Sequence, residues 1–263
     1  MHTIMEDLLP RFAEIIAASS QAEIQSDPSL GGRLVLDSQD PFCVTYAPFD
    51  HINSGARVVL VGITPGRQQA VNALVEARRQ LAAGADIGAA SKAAKETASF
   101  SGQMRPNLVE MLDYIGLHRW LGIRSSLELF GTSAGLVHYT SALRYPVYSQ
   151  GENYSGSSKI TSHPLLRRYV REFLGGETRA LPNAVWVPLG PWPTAALNLL
   201  VREGQLDPAR VLDGLPHPSG SNGERIAYFL GRKTRELLSN KTNPDLIDAA
   251  RAKLVGRMAG LAA

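Results

Sequence analysis

The sequence predicts an α/β domain in which helices cover both faces of a parallel sheet. The continuous apolar run Val58–Val61 is typical of a strand buried on both faces. It ends in a loop with two glycines and a proline, and apolar residues at helical spacing follow. Because this strand–loop–helix order recurs along the chain, we expect a three-layer α/β/α sandwich with a central four-stranded parallel sheet.

The elements are expected at the following positions. Strands are placed at 58–61, 136–143, 184–189 and 210–212. Helices are placed at 4–18, from the end of the first loop to Gly84, from about Pro106 to Gly116, from Pro164 onward, and at 193–203, 222–239 and 244–259. The remaining stretches are predicted to be turn-rich with short strands (25–56), a mobile or loosely helical connection (84–98) and a surface loop (145–162).

Length and composition indicate one globular domain over 1–263. We divide it into an N-terminal helix and extension (1–55), a core (56–240) and a C-terminal helix (241–263). No apolar run approaches the roughly 18 residues of a membrane span, and charged residues interrupt 4–18, so neither a membrane helix nor a signal peptide is expected. The single cysteine, Cys43, excludes an intrachain disulfide, which favours a cytoplasmic protein. We expect a monomer. The net charge of +3 is compatible with nucleic-acid binding without requiring it.

The loop Gly62–Gly66 (Gly-Ile-Thr-Pro-Gly) follows the first strand. Its glycines and proline build a rigid turn whose backbone N–H groups can face a ligand at the strand end. Such turns are also common without any ligand, so a purely structural role is the alternative. The loop is neither a Walker loop nor a dinucleotide-binding fingerprint.

The second candidate loop is His217–Asn222 (His-Pro-Ser-Gly-Ser-Asn). Prolines on both sides of His217 hold the imidazole on a stiff loop at the mouth of the last strand. A histidine fixed at the end of a strand is a candidate functional residue, and a structural histidine is the alternative.

Together the two loops resemble the signature motifs of the uracil-DNA glycosylase superfamily. Three segments between them resemble that superfamily in the same order: Ala98–Gly102 with a pocket phenylalanine, Thr140–Pro146 as the second-strand motif, and Val185–Gly190 as the third strand with its Leu-Gly ending. The resemblance covers residues 58 to about 235 and leaves out the first 50 residues and the last helix.

The resemblance implies a base-flipping DNA glycosylase. The catalytic residues would be Thr64 and His217, with His217 donating to the negative charge that develops on the departing base. The flipped base would be bound by the Ile63 N–H, by stacking on Phe100 and by Gly62, Pro65, Gly66 and Ser141. The DNA contacts implied are Ser219, Gly220, Ser221, Asn222 and Arg225. The resemblance implies no metal and no cofactor.

Three positions depart from the family pattern. Thr64 replaces the usual Asp or Asn, and its hydroxyl can orient a water molecule but cannot act as a base. Glu96 and Asp213 are candidate substitutes, with solvated loop residues as the alternative. Gly66 stands where some members carry a tyrosine that blocks a 5-methyl group. Ser141 replaces an asparagine that reads the uracil edge, and its rotating hydroxyl suggests a more permissive pocket.

The DNA-contacting side chains are also unusual. The wedge position falls on Ser221, a small residue, which suggests a preference for single strands or weakened pairs. Trp192 and Pro193 are expected near the same rim, where they touch DNA or cap a helix. A phosphate track is predicted from basic side chains whose alternative role is an ordinary solvated face, namely Arg144, Arg167, Arg168, Arg171, Arg232 and Lys233.

These patterns favour a monofunctional glycosylase that removes uracil, and other deaminated bases, from single- or double-stranded DNA and so initiates base excision repair. One alternative is a non-catalytic or specialised relative that binds damaged DNA. The other is an unrelated α/β enzyme that uses Gly62–Gly66 for a free nucleotide.

Overall fold

Buried apolar strands alternate with helices along much of the chain, which gives a mixed α/β fold. The computed structural model describes residues 7–100 and 104–261. The helices are α1 (Leu9–Ala18), α2 (Gln21–Ser26), α3 (Arg67–Ala82), α4 (Ile87–Ala98), α5 (Met104–Tyr114), α6 (Leu117–Leu121), α7 (Lys159–Ser162), α8 (Pro164–Tyr169), α9 (Gly175–Ala180), α10 (Pro191–Arg202), α11 (Gly223–Phe229) and α12 (Pro244–Gly260). The strands are β1 (Val35–Gln39), β2 (Phe42–Thr45), β3 (Val58–Gly62), β4 (Val137–Ser141), β5 (Val147–Ser149), β6 (Glu152–Asn153) and β7 (Val185–Pro188).

The chain forms two compact units, each built from three stretches of sequence. Unit 1 comprises the described residues of Met1–Ile52 with Gly62–Ser99 and Tyr139–Ala180. Unit 2 comprises Asn53–Val61 and the described residues of Phe100–His138 and Leu181–Ala263. The single-domain partition at 55 and 240 stays a prediction.

The predicted parallel sheet is present, with the strand order β4-β3-β7. Every residue of β3 is buried, as its unbroken apolar sequence predicts, and β3 pairs in parallel with β7. Just before β3, the Arg57 N–H donates to the Leu136 carbonyl, and at its end the Gly62 carbonyl accepts from the Ala142 N–H. The starts of β3 and β4 are therefore bonded to each other, and so are their ends, which means that β4 runs parallel to β3.

The predicted fourth strand does not form a continuous ladder. Val211 and Leu215 each make one isolated parallel bridge, to Trp186 and Leu189 respectively. Between these bridges Gly214 has φ +125°, a conformation outside the strand region, and it turns the chain. The continuous parallel sheet of the described residues therefore has three strands where four were predicted.

Three other predictions were wrong in detail. Residues 87–98 form the regular helix α4, because Asp86 caps its first turn by accepting from the Ala89 N–H (2.8 Å). Part of 145–162 joins β1 and β2 in a second, antiparallel sheet of order β1-β2-β5-β6 in unit 1. The helix predicted over 222–239 stops at Phe229, close to Gly231 with φ +74°.

The final helix was predicted correctly, as α12, and so were the helices that follow the first and third strands, as α3 and α10. The prediction for 4–18 is confirmed from Leu9 onward, and residues 4–6 lie outside the described part of the chain. Across the described ranges, every helix is too short or too polar to cross a membrane.

Candidate active site

The carboxyl ends of β3 and β7 are the natural place for a ligand in this sheet. The chain leaves β3 for β4 on one side and then crosses to β7 on the other. Parallel strands whose connections diverge leave a crevice outside their carboxyl ends, where ligands of open α/β sheets bind. Within unit 2 the Leu189 N–H donates to the Val61 carbonyl (2.9 Å), and Leu215 bridges Leu189. His217, two residues after Leu215, therefore lies at this end of the sheet.

Gly190 gives His217 its place beside β7. Gly190 follows the strand with φ +93° and ψ −179°, a region populated almost only by glycine. A Cβ built on Gly190 would lie 3.2 Å from the His217 Cβ and 3.7 Å from its backbone nitrogen. The missing side chain thus lets the histidine loop pack against the start of α10.

The hydrogen bond to His217 defines its tautomer. The Ser219 N–H donates to His217 Nδ1 (3.2 Å), so Nδ1 is the acceptor and the ring proton is on Nε2. Burial lowers the pKa of His217 below its ordinary value of 6.5, since a charged imidazole is poorly solvated there. The imidazole is therefore a neutral Nε2–H donor at neutral pH.

The rest of this loop is held by its own side chains. Ser219 Oγ lies 2.9 Å from Ser221 Oγ and accepts from Asn222 Nδ2 (3.0 Å). Arg225 donates to Asn222 Oδ1 (2.7 Å) and to the carbonyl of Lys241 (2.9 Å). Gly220 and Ser221 are exposed, so they form the outer tip. Arg225 is thus a support of the loop, and the exposed tip carries no bulky wedge.

Asn107 contacts this loop, and Phe100 of the same unit has an unusual backbone conformation. Asn107, on α5, donates through Nδ2 to the carbonyl of Pro218 (2.9 Å), a contact that no motif predicted. Phe100 is buried and has φ +46°, a left-handed conformation that is costly for a bulky side chain. Residues 101–102 of the phenylalanine motif lie outside the described part of the chain.

The Gly62–Gly66 loop and Ser141 belong to unit 1. The Gly62 and Ile63 carbonyls accept from the Ala142 and Leu143 N–H groups (2.8 and 3.0 Å), which places the first loop beside the residues that follow Ser141. Pro65 is buried and Ser141 is half-buried.

The side chain of Thr64 is engaged in the fold. Its hydroxyl donates to the Tyr145 carbonyl (2.9 Å) and accepts from the Val147 N–H (3.1 Å). One lone pair remains for a water molecule, so any role in orienting water is reduced to accepting one hydrogen bond.

Gly66 is not required by the geometry of the turn. Its φ of −79° and ψ of 171° are ordinary extended values, and a Cβ built there meets nothing within 4 Å. The lack of a side chain at Gly66 therefore leaves open space rather than relieving strain. Gly66 is also the N-cap of α3, a position where glycine is common, so a structural role stays the alternative.

The predicted phosphate track is corrected by burial and pairing. Arg144 is buried and bonded to Glu177 (Nη2 to Oε1, 2.6 Å), so it cannot contact DNA. Arg232 pairs with Glu110 and Lys233 with Glu224. The other three arginines, Arg167, Arg168 and Arg171, line one open cavity of about 510 Å³ in unit 1, together with Ser162, Pro164 and Glu172.

A buried charged cluster in unit 1 was missed by sequence reasoning. Asp50, Lys95 and Glu177 are each at most 5% exposed, and Lys95 Nζ donates to the His51 carbonyl (2.7 Å). Burial lowers the pKa of Lys95 to about 8, partly opposed by Glu177. Burial raises the pKa of Asp50, and Arg144 opposes the rise. The residues are scattered along the chain, so no local pattern reveals them.

The other candidate residues have ordinary surroundings. Glu96 is exposed, and Asp213 pairs with Lys253 (2.7 Å), which favours the solvated alternative for both. Trp192 is half-buried and Pro193 is buried in the first turn of α10, as helix-capping residues would be. Within 7–100 and 104–261, no three His, Cys, Asp or Glu side chains are grouped as metal ligands.

Comparison with known proteins gives the chain a family. The uncharacterized protein YoxB of Bacillus subtilis (strain 168) is 32% identical over 254 residues, which cover 94% of this chain and 97% of YoxB. The chain belongs to the YoxB family. No model of a known protein family matches it, and no solved structure matches it. Membership of the YoxB family therefore gives no evidence about the activity of this chain. The resemblance to uracil-DNA glycosylases stays a prediction.

We expect His217 of this YoxB-family chain to titrate below pH 6.5 because burial disfavours the imidazolium. The folded chain then binds this proton more weakly than the unfolded chain. The stability contributed by neutral His217 is accordingly present above pH 6.5 and is lost as the pH falls below it. A ¹⁵N NMR titration, assigned with His217→Gln, measures the midpoint, and a midpoint at or above 6.5 would contradict the prediction.

Proposed function

We propose that the chain is a monofunctional DNA glycosylase that hydrolyses the N-glycosidic bond of uracil, and of other deaminated bases, in DNA. In a cell this reaction would initiate base excision repair. The proposal includes a cytoplasmic location, a monomer and a three-layer arrangement around the parallel sheet, extended by the segment that carries Val211 and Leu215.

The observation that carries the proposal is the state of His217. A neutral imidazole with its proton on Nε2 and its Nδ1 occupied by the Ser219 N–H (3.2 Å) is a fixed hydrogen-bond donor. It stands at the carboxyl end of the sheet, against Gly190, where the topology favours ligand binding. A neutral donor stabilises a forming anion without an unfavourable proton transfer in the ground state.

The reaction needs this kind of donor because the base leaves as an anion. The bond between the sugar C1′ and the base nitrogen breaks, and both bonding electrons go to the base. His217 Nε2–H donates to the base oxygen on which this charge develops. The DNA phosphates favour the sugar cation, and water forms the new bond at C1′. One water proton goes to solvent, and the base anion takes up a proton on release.

The other residues take supporting roles in the proposal. Phe100 stacks on the flipped ring, and Ser141 bonds to its edge with a hydroxyl that donates or accepts. The open space at Gly66 admits bases larger than uracil. Thr64 has one lone pair left to accept from the attacking water, so leaving-group stabilisation carries most of the rate enhancement.

DNA is the proposed partner. The cavity lined by Arg167, Arg168 and Arg171 offers planar guanidinium groups, which suit phosphate oxygens. Arg168 also pairs with Asp37. Binding of DNA by Arg168 would therefore replace the Asp37 carboxylate with a phosphate group. The exposed tip at Gly220 and Ser221 has little bulk to fill the gap of an extruded base. Single-stranded or weakly paired substrates are therefore favoured.

One observation favours a second function. Because the Thr64 hydroxyl is already bonded to Tyr145 and Val147, the usual activation of water is missing. A relative that binds damaged DNA without cleaving it would tolerate this loss.

Excision assays on uracil-containing oligonucleotides separate the two functions. We expect the wild type to release uracil, and His217→Ala to lower the single-turnover rate constant by about 10²–10³-fold, the usual effect of losing one such donor. Thr64→Ala should cost less than His217→Ala. The matched control is His118→Ala, which removes an imidazole that pairs with Asp113 (3.3 Å). DNA binding without product, unchanged by His217→Ala, would support the binding function instead.

Gly66→Tyr tests the permissive pocket. We expect this variant to fold normally, because nothing lies within 4 Å of the built Cβ. It should reduce excision of hypoxanthine, xanthine and 5-substituted uracil by about tenfold or more relative to uracil, because a ring in that space excludes larger bases. Gly66→Ala is the control and should retain the wild-type preference. If the wild type cleaves uracil alone, the proposal of a broad pocket fails.

A further inference from the structure

One buried carboxylate organises the segment that holds the Gly62–Gly66 loop. Asp50 is 5% exposed and receives three hydrogen bonds. The Tyr145 hydroxyl donates to Oδ1 (2.5 Å), the Tyr46 hydroxyl to Oδ2 (2.9 Å), and the Leu8 N–H to Oδ1 (3.2 Å). Each carboxylate oxygen is thus satisfied by a phenol, and both rings are fixed.

Tyr145 links this carboxylate to the loop. Its side chain bonds to Asp50, while its backbone carbonyl accepts from the Thr64 hydroxyl (2.9 Å). Two residues on, the Val147 N–H donates to the same hydroxyl (3.1 Å). The Thr64 side chain is therefore fastened at two points to a segment that is itself fastened to Asp50.

The neighbouring residue strengthens this anchor. Arg144 is buried and donates from Nε (3.0 Å) and Nη2 (2.6 Å) to Glu177 Oε1. Buried polar groups of this kind are often replaceable by apolar residues with no loss of stability. Where they persist, one explanation is that they specify a particular geometry, which here is the path of 144–147.

We propose that Asp50 and Tyr145 are positioning residues that hold the Gly62–Gly66 loop in its observed shape through Thr64. Thr64 then acts as a tether for the loop more than as a holder of water. The effect on excision rests on the proposed function, whereas the effect on the loop does not.

Two matched variants test the proposal. Tyr145→Phe and Tyr46→Phe each remove one phenol hydroxyl from the same carboxylate, but Tyr145 alone carries the carbonyl that holds Thr64. We expect a loss of Tm in both, and a larger one in Tyr145→Phe because the Tyr145 hydroxyl also bonds to Arg144. Tyr145→Phe should raise hydrogen exchange at the amides of 62–64 and 66 about tenfold. It should also lower the excision rate constant at saturating DNA about tenfold with Kd unchanged, because small misplacements slow the chemical step. Tyr46→Phe should leave exchange and excision near wild type.

A second pair probes the loop side of the tether and does not disturb the buried cluster. Thr64→Val removes the hydroxyl at nearly constant shape and should raise loop exchange as Tyr145→Phe does, whereas Thr64→Ser should restore protection. Equal loop exchange in Tyr145→Phe and Tyr46→Phe, together with no effect of Thr64→Val, would overturn the proposal. If the wild type shows no excision, the proposed function fails, but the hydrogen-exchange comparison still tests the positioning role. The two proposals can therefore fail independently.

Discussion

Gly190, which follows β7, lets His217 pack close to the end of this strand. Gly190 adopts φ +93° and ψ −179°, and the His217 Cβ would be 3.2 Å from any Cβ placed on it. Since a real Cβ rarely tolerates that distance, the glycine is what allows the histidine loop to reach the end of the sheet. The Ser219 N–H then sets the tautomer, and the Asn107 amide holds the Pro218 carbonyl. The proposed chemistry depends on this sequence of local constraints.

The buried ionisable groups of the two units differ in their surroundings. In unit 2, burial keeps His217 neutral by lowering its pKa, which suits a hydrogen-bond donor to a forming anion. In unit 1, Asp50 and the pair Arg144–Glu177 are buried with good hydrogen-bond partners. A buried charge without partners is costly, so these groups constrain the backbone around them. One unit thus supplies a preorganised donor, and the other supplies a rigid support for the first loop.

Much of the fold follows from the sequence, because continuous apolar runs such as Val58–Val61 have few alternatives to a buried parallel strand. Sequence reasoning failed where the secondary structure is decided by pairing with a distant segment or by a single backbone angle. The fourth strand is interrupted by Gly214 at φ +125°, and 147–153 pairs with a strand distant in sequence. The proline frame predicted only that His217 stands on a stiff loop, and its role as a donor was implied by the resemblance to uracil-DNA glycosylases. The tautomer of His217 depends on a hydrogen bond that sequence does not encode. The roles of Gly190 and Thr64 depend on contacts between segments far apart in the chain.

The most direct test of the central claim is the single-turnover excision rate of Gly190→Ala, compared with Gly204→Ala. Gly204 has φ +70° and open space around its built Cβ, so its variant carries the backbone penalty without touching His217. We predict that Gly190→Ala shifts His217 by a few tenths of an ångström, adds strain at this positive φ, and lowers the rate at saturating DNA by about tenfold, since small misplacements slow the chemical step. Gly204→Ala should retain the wild-type rate. A wild-type rate in Gly190→Ala would contradict the claim that this contact places His217, the histidine proposed as catalytic.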